Sequence, residues 1–362
     1  MTRRAPADGV SRGLSWPQRV EAVRYESVHI ESISYALPEC VVSTQAIEHE
    51  IAPLYAKFGM RPGWLESVTG VRERRYWQEG WTPSRAAIHA GRKALHAAGV
   101  EASDIDVLIS TSVSKDCLEP SIASLVAGDL GVHPGCEAFD VGNACLGFLS
   151  GMVAAANRIE LGQADVALVV AGESSREVGE ATLARLKRPD AEIGDFKNEL
   201  ATLTLGSAAV AMVLTSKHVA MTKHRFLGGL FRSATQHSGL CIGHATRMRT
   251  DAARLLEAGV TLAVDTWNAV HDQVDLRPAV PGLSQYALHQ VGKANHDAVI
   301  QALGIPADLA LRIYPALGNV GSAGVPLTFA LALDQGLVPP GSRVGLMGIG
   351  SGLHVAMLGI EW

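Results

Sequence analysis

Cys145 lies in FDVGNACLGF, where a short apolar stretch turns through Gly-Asn-Ala into the long apolar run CLGFLSGMVAAANRIELG. A cysteine at a strand–turn–helix junction meets the positive end of the helix dipole, which favours the thiolate, and small neighbours let a substrate carbonyl approach. The alternative is a buried structural cysteine, since free cysteine is among the most buried residue types. Cys40, Cys117, Cys136 and Cys241 keep that reading. His289 ends the apolar stretch YALHQVG, where the plain reading is a satisfied core histidine. Asn319 sits in GNVGSAG, a glycine-rich turn that mirrors the turn of Cys145, and either caps a helix or faces a ligand. GIGSG at 348–352 ends a strand in glycines and can offer backbone N–H groups, Ser351 among them, to an oxyanion. A dinucleotide loop would need a helix after it, whereas LHVAMLGIEW reads as a strand. In DCLEPSIAS, Glu119 stands at the mouth of a helix that opens after Pro120, as a local cap or as a base; Glu is a mediocre cap beside Asp or Ser. No spacing suits zinc, because His289 and His296 do not share a helical face and the cysteines form no CxxC pair.

The elements that must position these residues follow from pattern. SVHIESISYALPE reads as a first strand, STQAIEHEIAPLYAKFG as a helix capped by Ser43 or Thr44, and TPSRAAIHAGRKALHAAGV as a second helix closed by Gly99. IDVLISTSV and ADVALVVAGESS are continuous apolar strands, CEAFDVGNA is a short strand and turn, and SIASLVAGDLG is a helix. The run after Cys145 is apolar on nearly every side, as a helix buried all round would be. Buried strands alternating with helices indicate an α/β sheet covered on both faces. The second half repeats this grammar: SQYALHQVG follows IDVLISTSV, LRIYPALGNVGSAGVPLTFALALDQG follows the Cys145 segment as strand, turn and helix, and SRVGLMGIGSG follows ADVALVVAGES. An internal duplication is expected, with halves over 25–218 and 219–362 whose strand-end turns meet at one site. Residues 1–24 are expected to be a loosely docked extension.

The chain of 362 residues is 48% hydrophobic and 19% charged, with a formal charge of −5, so a large core is available and nothing points to nucleic acid. The five cysteines are widely spaced and no apolar signal core precedes them, which is the usage of a reduced, cytoplasmic compartment. No apolar run reaches ~18 residues, so no transmembrane helix is expected.

Taken in order, cysteine, histidine and asparagine resemble the thiolase superfamily of condensing enzymes over nearly the whole chain after residue 25. TGVRERRYW, EPSIASLVAGDLG, FDVGNACLGFLSG, LHQVGKANHDAV, GNVGSAGVP and GIGSGL carry the resemblance to its ketoacyl-synthase III members. SVSKDCLEPS, DVGNACLGF and ELATLTLGSAA look most similar to the branch that joins two long acyl-CoA chains at the start of bacterial hydrocarbon synthesis. The resemblance implies a thiolase-like α/β fold, two duplicated βαβαβαββ halves in a five-layered αβαβα arrangement. It implies Cys145 as nucleophile, His289 and Asn319 as binders of an enolate oxygen, and the backbone N–H groups of Cys145 and Ser351 as oxyanion hole. Ketoacyl-synthase III usually has phenylalanine where Glu119 stands, in a loop that crosses a dimer interface, and it makes its carbanion by decarboxylation. A condensation without decarboxylation needs a base for an α-proton, and Glu119 is suited to that task.

The expected partners are fatty acyl-CoA substrates and a second copy of the chain, with a paralogous subunit or downstream pathway enzymes as further candidates. No metal and no cofactor beyond the coenzyme A thioester is expected. Arg72, Arg74 and Arg75, or Arg247 and Arg249, are the candidates to meet the anionic coenzyme, against the alternative of solvated charge runs. The competing activities are decarboxylative condensation with a malonyl-thioester, transfer of the Cys145 acyl group to an alcohol or amine, and service as one subunit of a heterodimer.

Overall fold

The computed structural model describes residues 22–362. Fourteen strands and twelve α-helices account for most of them. The strands are β1 (Val23–Arg24), β2 (Val28–Ala36), β3 (Cys40–Ser43), β4 (Glu73–Tyr76), β5 (Val107–Ser110), β6 (Glu137–Asp140), β7 (Val166–Glu173), β8 (Ala208–Ser216), β9 (Arg225–Ser233), β10 (Cys241–His244), β11 (Arg247–Thr250), β12 (Leu283–Leu288), β13 (Arg343–Gly350) and β14 (His354–Glu361). The helices are α1 (Thr44–Glu50), α2 (Ala52–Lys57), α3 (Trp64–Thr69), α4 (Pro83–Ala98), α5 (Ile122–Leu130), α6 (Gly147–Glu160), α7 (Arg176–Leu186), α8 (Ile193–Glu199), α9 (Ala252–Val270), α10 (Lys293–Leu303), α11 (Tyr314–Leu317) and α12 (Gly324–Asp334).

The ten-stranded sheet divides into two sheet halves where His29 of β2 pairs with Arg225 of β9. The first runs β6-β5-β7-β8-β2 and the second β12-β13-β14-β9, with β6 unmatched in the second. In each, a parallel pair (β5 with β7, β12 with β13) is followed by two antiparallel steps. This is the duplication read from the sequence.

Three apolar clusters separate the layers. Phe148 and Met152 of α6 and Leu327 and Phe329 of α12 pack between the sheets with Ile109, Val169, Leu346 and Leu358. The outer face of the first sheet is covered by α4 and α5, through Ala86, Ala90, Ala94 and Val126 against Leu168, Val170 and Val213. The outer face of the second is covered by α9 and α10, through Leu262, Trp267, Val299 and Ile300 against Tyr286 and Met357. The order is therefore helix, sheet, helix, sheet, helix. Thr82 and Pro83 start α4 and Gly99, at φ 65°, ends it. Its alanine face lets it lie close to the sheet: a Cβ at Gly172 of β7 would stand 2.0 Å from the Pro83 carbonyl oxygen.

Three local expectations change. The helix expected after Ser43 is two, because Ile51 interrupts it and Pro53 enters the first turn of α2. The strand expected at Leu311–Pro315 is absent. Gln290 accepts the N–H groups of Ile313 and Tyr314 through Oε1 and donates through Nε2 to the Leu311 carbonyl, while Gln285 donates to Asp308. Two glutamine side chains from the β12 segment thus take the place of a ladder, and the chain enters α11 instead. The extension expected over residues 1–24 falls on 1–21, outside the described residues, and on Val23 and Arg24, which are not loose but pair with Gly229 and Gly228 of β9.

Candidate active site

The turns at the carboxyl ends of β6, β12 and β13, and the turn before α12, converge. Cys145 occupies a 3-10 turn, Ala144–Leu146, between β6 and α6, with Ala144 at a φ of 44°. A Cβ at Gly350, the last residue of β13, would lie 3.4 Å from the Leu146 nitrogen and 3.4 Å from the Asn143 oxygen. Ser351, the next residue, is therefore held beside the Cys145 turn. Gly348 fills the gap between Leu146 and His289; a Cβ there would be 2.5 Å from Leu146 Cδ2 and 3.7 Å from His289 Cβ. Any side chain at this position would push the two segments apart.

His289 follows β12, its N–H bonded to the Met347 carbonyl at 2.8 Å. The residue is 8% exposed, and neither ring nitrogen has a hydrogen-bond partner. Burial lowers its pKa to about 4. Its Nδ1 faces Gly324, where a Cβ would stand 3.0 Å away, at the start of α12. The positive end of that helix also disfavours an imidazolium. The ring is a neutral, unengaged imidazole in an apolar setting, and a small cavity of about 20 Å³ lined by Leu288, Met347 and Ile349 adjoins it.

Asn319 is fixed by its backbone, which donates to the Thr204 carbonyl at 2.9 Å and accepts from Gly206 at 2.8 Å. Its Oδ1 accepts the Gly321 N–H at 3.0 Å. That contact commits the oxygen to the turn and leaves the Nδ2 amino group free to donate to a ligand.

Two effects oppose each other at Cys145. It is partly exposed on the turn immediately before α6, where the helix dipole favours the thiolate. Burial, with the Glu173 carboxylate and Cys241, pushes the thiol the other way, up to about 12. Burial likewise raises Cys136, to about 11.

Glu119 lies on the segment between β5 and α5, which is exposed at Cys117, Leu118, Glu119 and Pro120. It is not the cap of α5. Ser121 Oγ accepts the Ser124 N–H at 3.1 Å, and Asp140 accepts those of Ile122 and Ala123 at 3.2 and 2.9 Å. Glu119 has no hydrogen-bond partner among the described residues, and Leu118 beside it is fully exposed.

The arginines divide. Arg74 is 0% exposed and donates to the Val42 and Leu203 carbonyls and to Thr44 Oγ1 at 3.2, 2.7 and 2.9 Å, so it cannot meet a coenzyme. It points inward because β4 alternates its faces, which also turns Tyr76 inward. Arg75 is tied to the Pro38 carbonyl at 3.0 Å. Arg247 lies 3.5 Å from Glu199, a carboxylate already held by Arg185. Arg72 and Arg249 are exposed. No helix among the described residues is long and apolar enough to cross a membrane.

Residues 79–228 match the thiolase N-terminal domain family, and residues 281–362 match the C-terminal domain of 3-oxoacyl-[acyl-carrier-protein] synthase III. A protein named acyl-CoA:acyl-CoA alkyltransferase from Shewanella oneidensis is 41% identical across 94% of this chain and 100% of its own length. Its namesake from Xanthomonas campestris is 39% identical across 93% and 99%. The crystal structure of a cysteine-to-serine variant of Xanthomonas campestris OleA, with bound lauric acid and lauroyl-CoA, superposes with a TM-score of 0.91 at 39% identity, covering 93% of this chain and 100% of that one.

Proposed function

The chain belongs to the acyl-CoA:acyl-CoA alkyltransferase family of thiolase-fold condensing enzymes, and from that premise we propose the following course for its head-to-head condensation of two fatty acyl-CoA molecules. The first acyl-CoA acylates Cys145. Sγ attacks the thioester carbonyl as its proton passes to the neutral, unengaged ring of His289, and coenzyme A leaves. The oxyanion accepts from the backbone N–H groups of Cys145 and Ser351, a reading supported by the close approach of Gly350 to the Cys145 turn.

The second acyl-CoA then loses an α-proton to Glu119. In the single chain Glu119 is exposed beside the exposed Leu118, as expected of a segment that reaches a second copy, and we assign it to the partner's site in a homodimer. The enolate oxygen accepts from His289 and from Asn319 Nδ2, whose oxygen is occupied by Gly321. The carbanion attacks the acyl-cysteine, the tetrahedral adduct expels Cys145 Sγ, and a 2-alkyl-3-oxoacyl-CoA results, open to hydrolysis to the acid. No step calls for a metal or a cofactor beyond the thioester itself. Among the arginines, Arg72 and Arg249 are the ones left for the anionic coenzyme.

The observation that carries this reading is the full-length likeness to the alkyltransferases, across both the cysteine and the histidine halves. Incubation with one long acyl-CoA alone, followed by product mass, tests it. A product containing two acyl chains without any malonyl-thioester is expected. Product only when a malonyl-thioester is added would overturn it.

A further inference from the structure

Glu173, the last residue of β7, is a buried carboxylate that none of the steps above uses; it is 4% exposed. It faces hydrogen-bond donors on every side. Val113 N–H and Ser322 N–H donate to Oε1 at 2.9 and 3.0 Å, and Ser114 donates to Oε2 through N–H at 3.2 Å and Oγ at 3.0 Å. Burial raises its pKa, and these four donors oppose the rise by favouring the ionised carboxylate locally.

The donors come from two segments that the chemistry needs. Val113 and Ser114 open the exposed segment that carries Glu119. Ser322 belongs to the turn of Asn319, and a Cβ at Gly321 would be 3.1 Å from Glu173 Oε1. That turn in turn reaches the start of α6, two residues after Cys145: Ser322 Oγ lies 3.2 Å from Thr111 Oγ1, and a Cβ at Gly147 would stand 2.9 Å from Ser322 Oγ.

We propose that Glu173 is a positioning residue that sets the base-bearing segment 113–120 and the Asn319 turn against the Cys145 turn. The proposal rests on the roles given above to Cys145, Glu119 and Asn319. One carboxylate thereby fixes the geometry of carbon–carbon bond formation.

The test compares wild type with Glu173→Gln, Glu173→Asp and Ser114→Ala in two measurements: Cys145 acylation by one long acyl-CoA, and product formed per acyl-enzyme. Glu173→Gln replaces one acceptor oxygen by a donor amide facing donors, so product per acyl-enzyme should fall by ~10²-fold, the usual cost of a misplacement near 1 Å, while acylation falls far less. Glu173→Asp keeps both acceptor oxygens and shortens the reach, so product per acyl-enzyme should fall by a smaller factor. Ser114→Ala, which frees only the Glu119 segment, should leave acylation intact and lower condensation several-fold, and it serves if the Glu173 variants do not fold. Equal losses of acylation and condensation would reduce Glu173 to a structural residue and overturn the proposal. Unchanged condensation in Ser114→Ala would do the same. Wild type that forms acyl-enzyme but no product would instead defeat the function proposed above, and this inference with it.

Discussion

The carboxylate of Asp140 accepts the backbone N–H of Ala123 at 2.9 Å, closing the first turn of α5 from the end of β6. With Ile122 also bonded to Asp140 and Ser124 to Ser121, the helix start is satisfied without Glu119. A glutamate at a helix mouth that caps nothing is free for chemistry. Asp140→Ala should therefore destabilise the protein by about 1–2 kcal/mol, while Glu119→Ala should stay within about 0.5 kcal/mol of wild type. Chemical denaturation of the two variants side by side is the check; a comparable loss in Glu119→Ala would return that residue to a capping role.

Cys145→Ala should abolish both acyl-enzyme formation and condensation. Labelled acyl-CoA followed by peptide mapping places the acyl group. Burial raises the thiols of Cys136 and Cys145 alike, so the proposed proton acceptor and oxyanion donors predict that only Cys145 takes the acyl group. Label on Cys40, Cys117, Cys136 or Cys241 would remove Cys145 from the mechanism.

The pH dependence of acylation distinguishes a preformed thiolate from a proton shared with His289. Burial lowers the pKa of His289 to about 4 and raises that of the Cys145 thiol. If the imidazole takes the proton during attack, acylation should be flat from about pH 6 to 8 and fall only as pH drops toward 4. A tenfold rise in rate per pH unit across that range would mean that free thiolate attacks and that His289 takes no proton.

Much of this site was legible because its residues end elements that the sequence announces. Cys145 sits where apolar strand, small-residue turn and apolar helix follow one another, and Asn319 sits in the turn that repeats them. What could not be read depended on partners distant in the chain. Nothing local says that Asp140 caps a helix 17 residues earlier, or that Gln285 and Gln290 replace a strand at 311–315. Glu173 had a local signal, a carboxylate ending the otherwise apolar VALVVAGE, but its donors come from two sequence-distant segments. The burial of Arg74 was available in the alternation of ERRY, which a count of positive charges overlooks.

Arg74 and Arg249 should accordingly behave in opposite ways. Arg74→Ala strands the Val42 and Leu203 carbonyls in the interior and should cost about 2–4 kcal/mol of stability. Arg249→Ala should leave the melting curve unchanged and raise KM for acyl-CoA at constant kcat, as loss of uniform binding does. Steady-state kinetics with thermal melts of both variants decides; an unchanged KM in Arg249→Ala would leave this arginine a solvated surface charge.

Glu119→Ala should separate the two half-reactions. Acylation of Cys145 needs no carbon base and should persist, while condensation should fall by the ~10²–10⁴-fold that loss of a general base costs. Glu119→Gln keeps the shape without the basicity and should fall similarly. Glu119 is exposed in the single chain, and the proposal that it serves a second copy's site is tested directly by mixing. Dimers reassorted from Glu119→Ala and Cys145→Ala subunits contain one site in which an intact Cys145 faces an intact Glu119 from its neighbour, so activity should return in part. Subunit exchange is followed by native mass of differently tagged copies. Exchange without recovered activity would place Glu119 in its own subunit's site or outside the chemistry altogether.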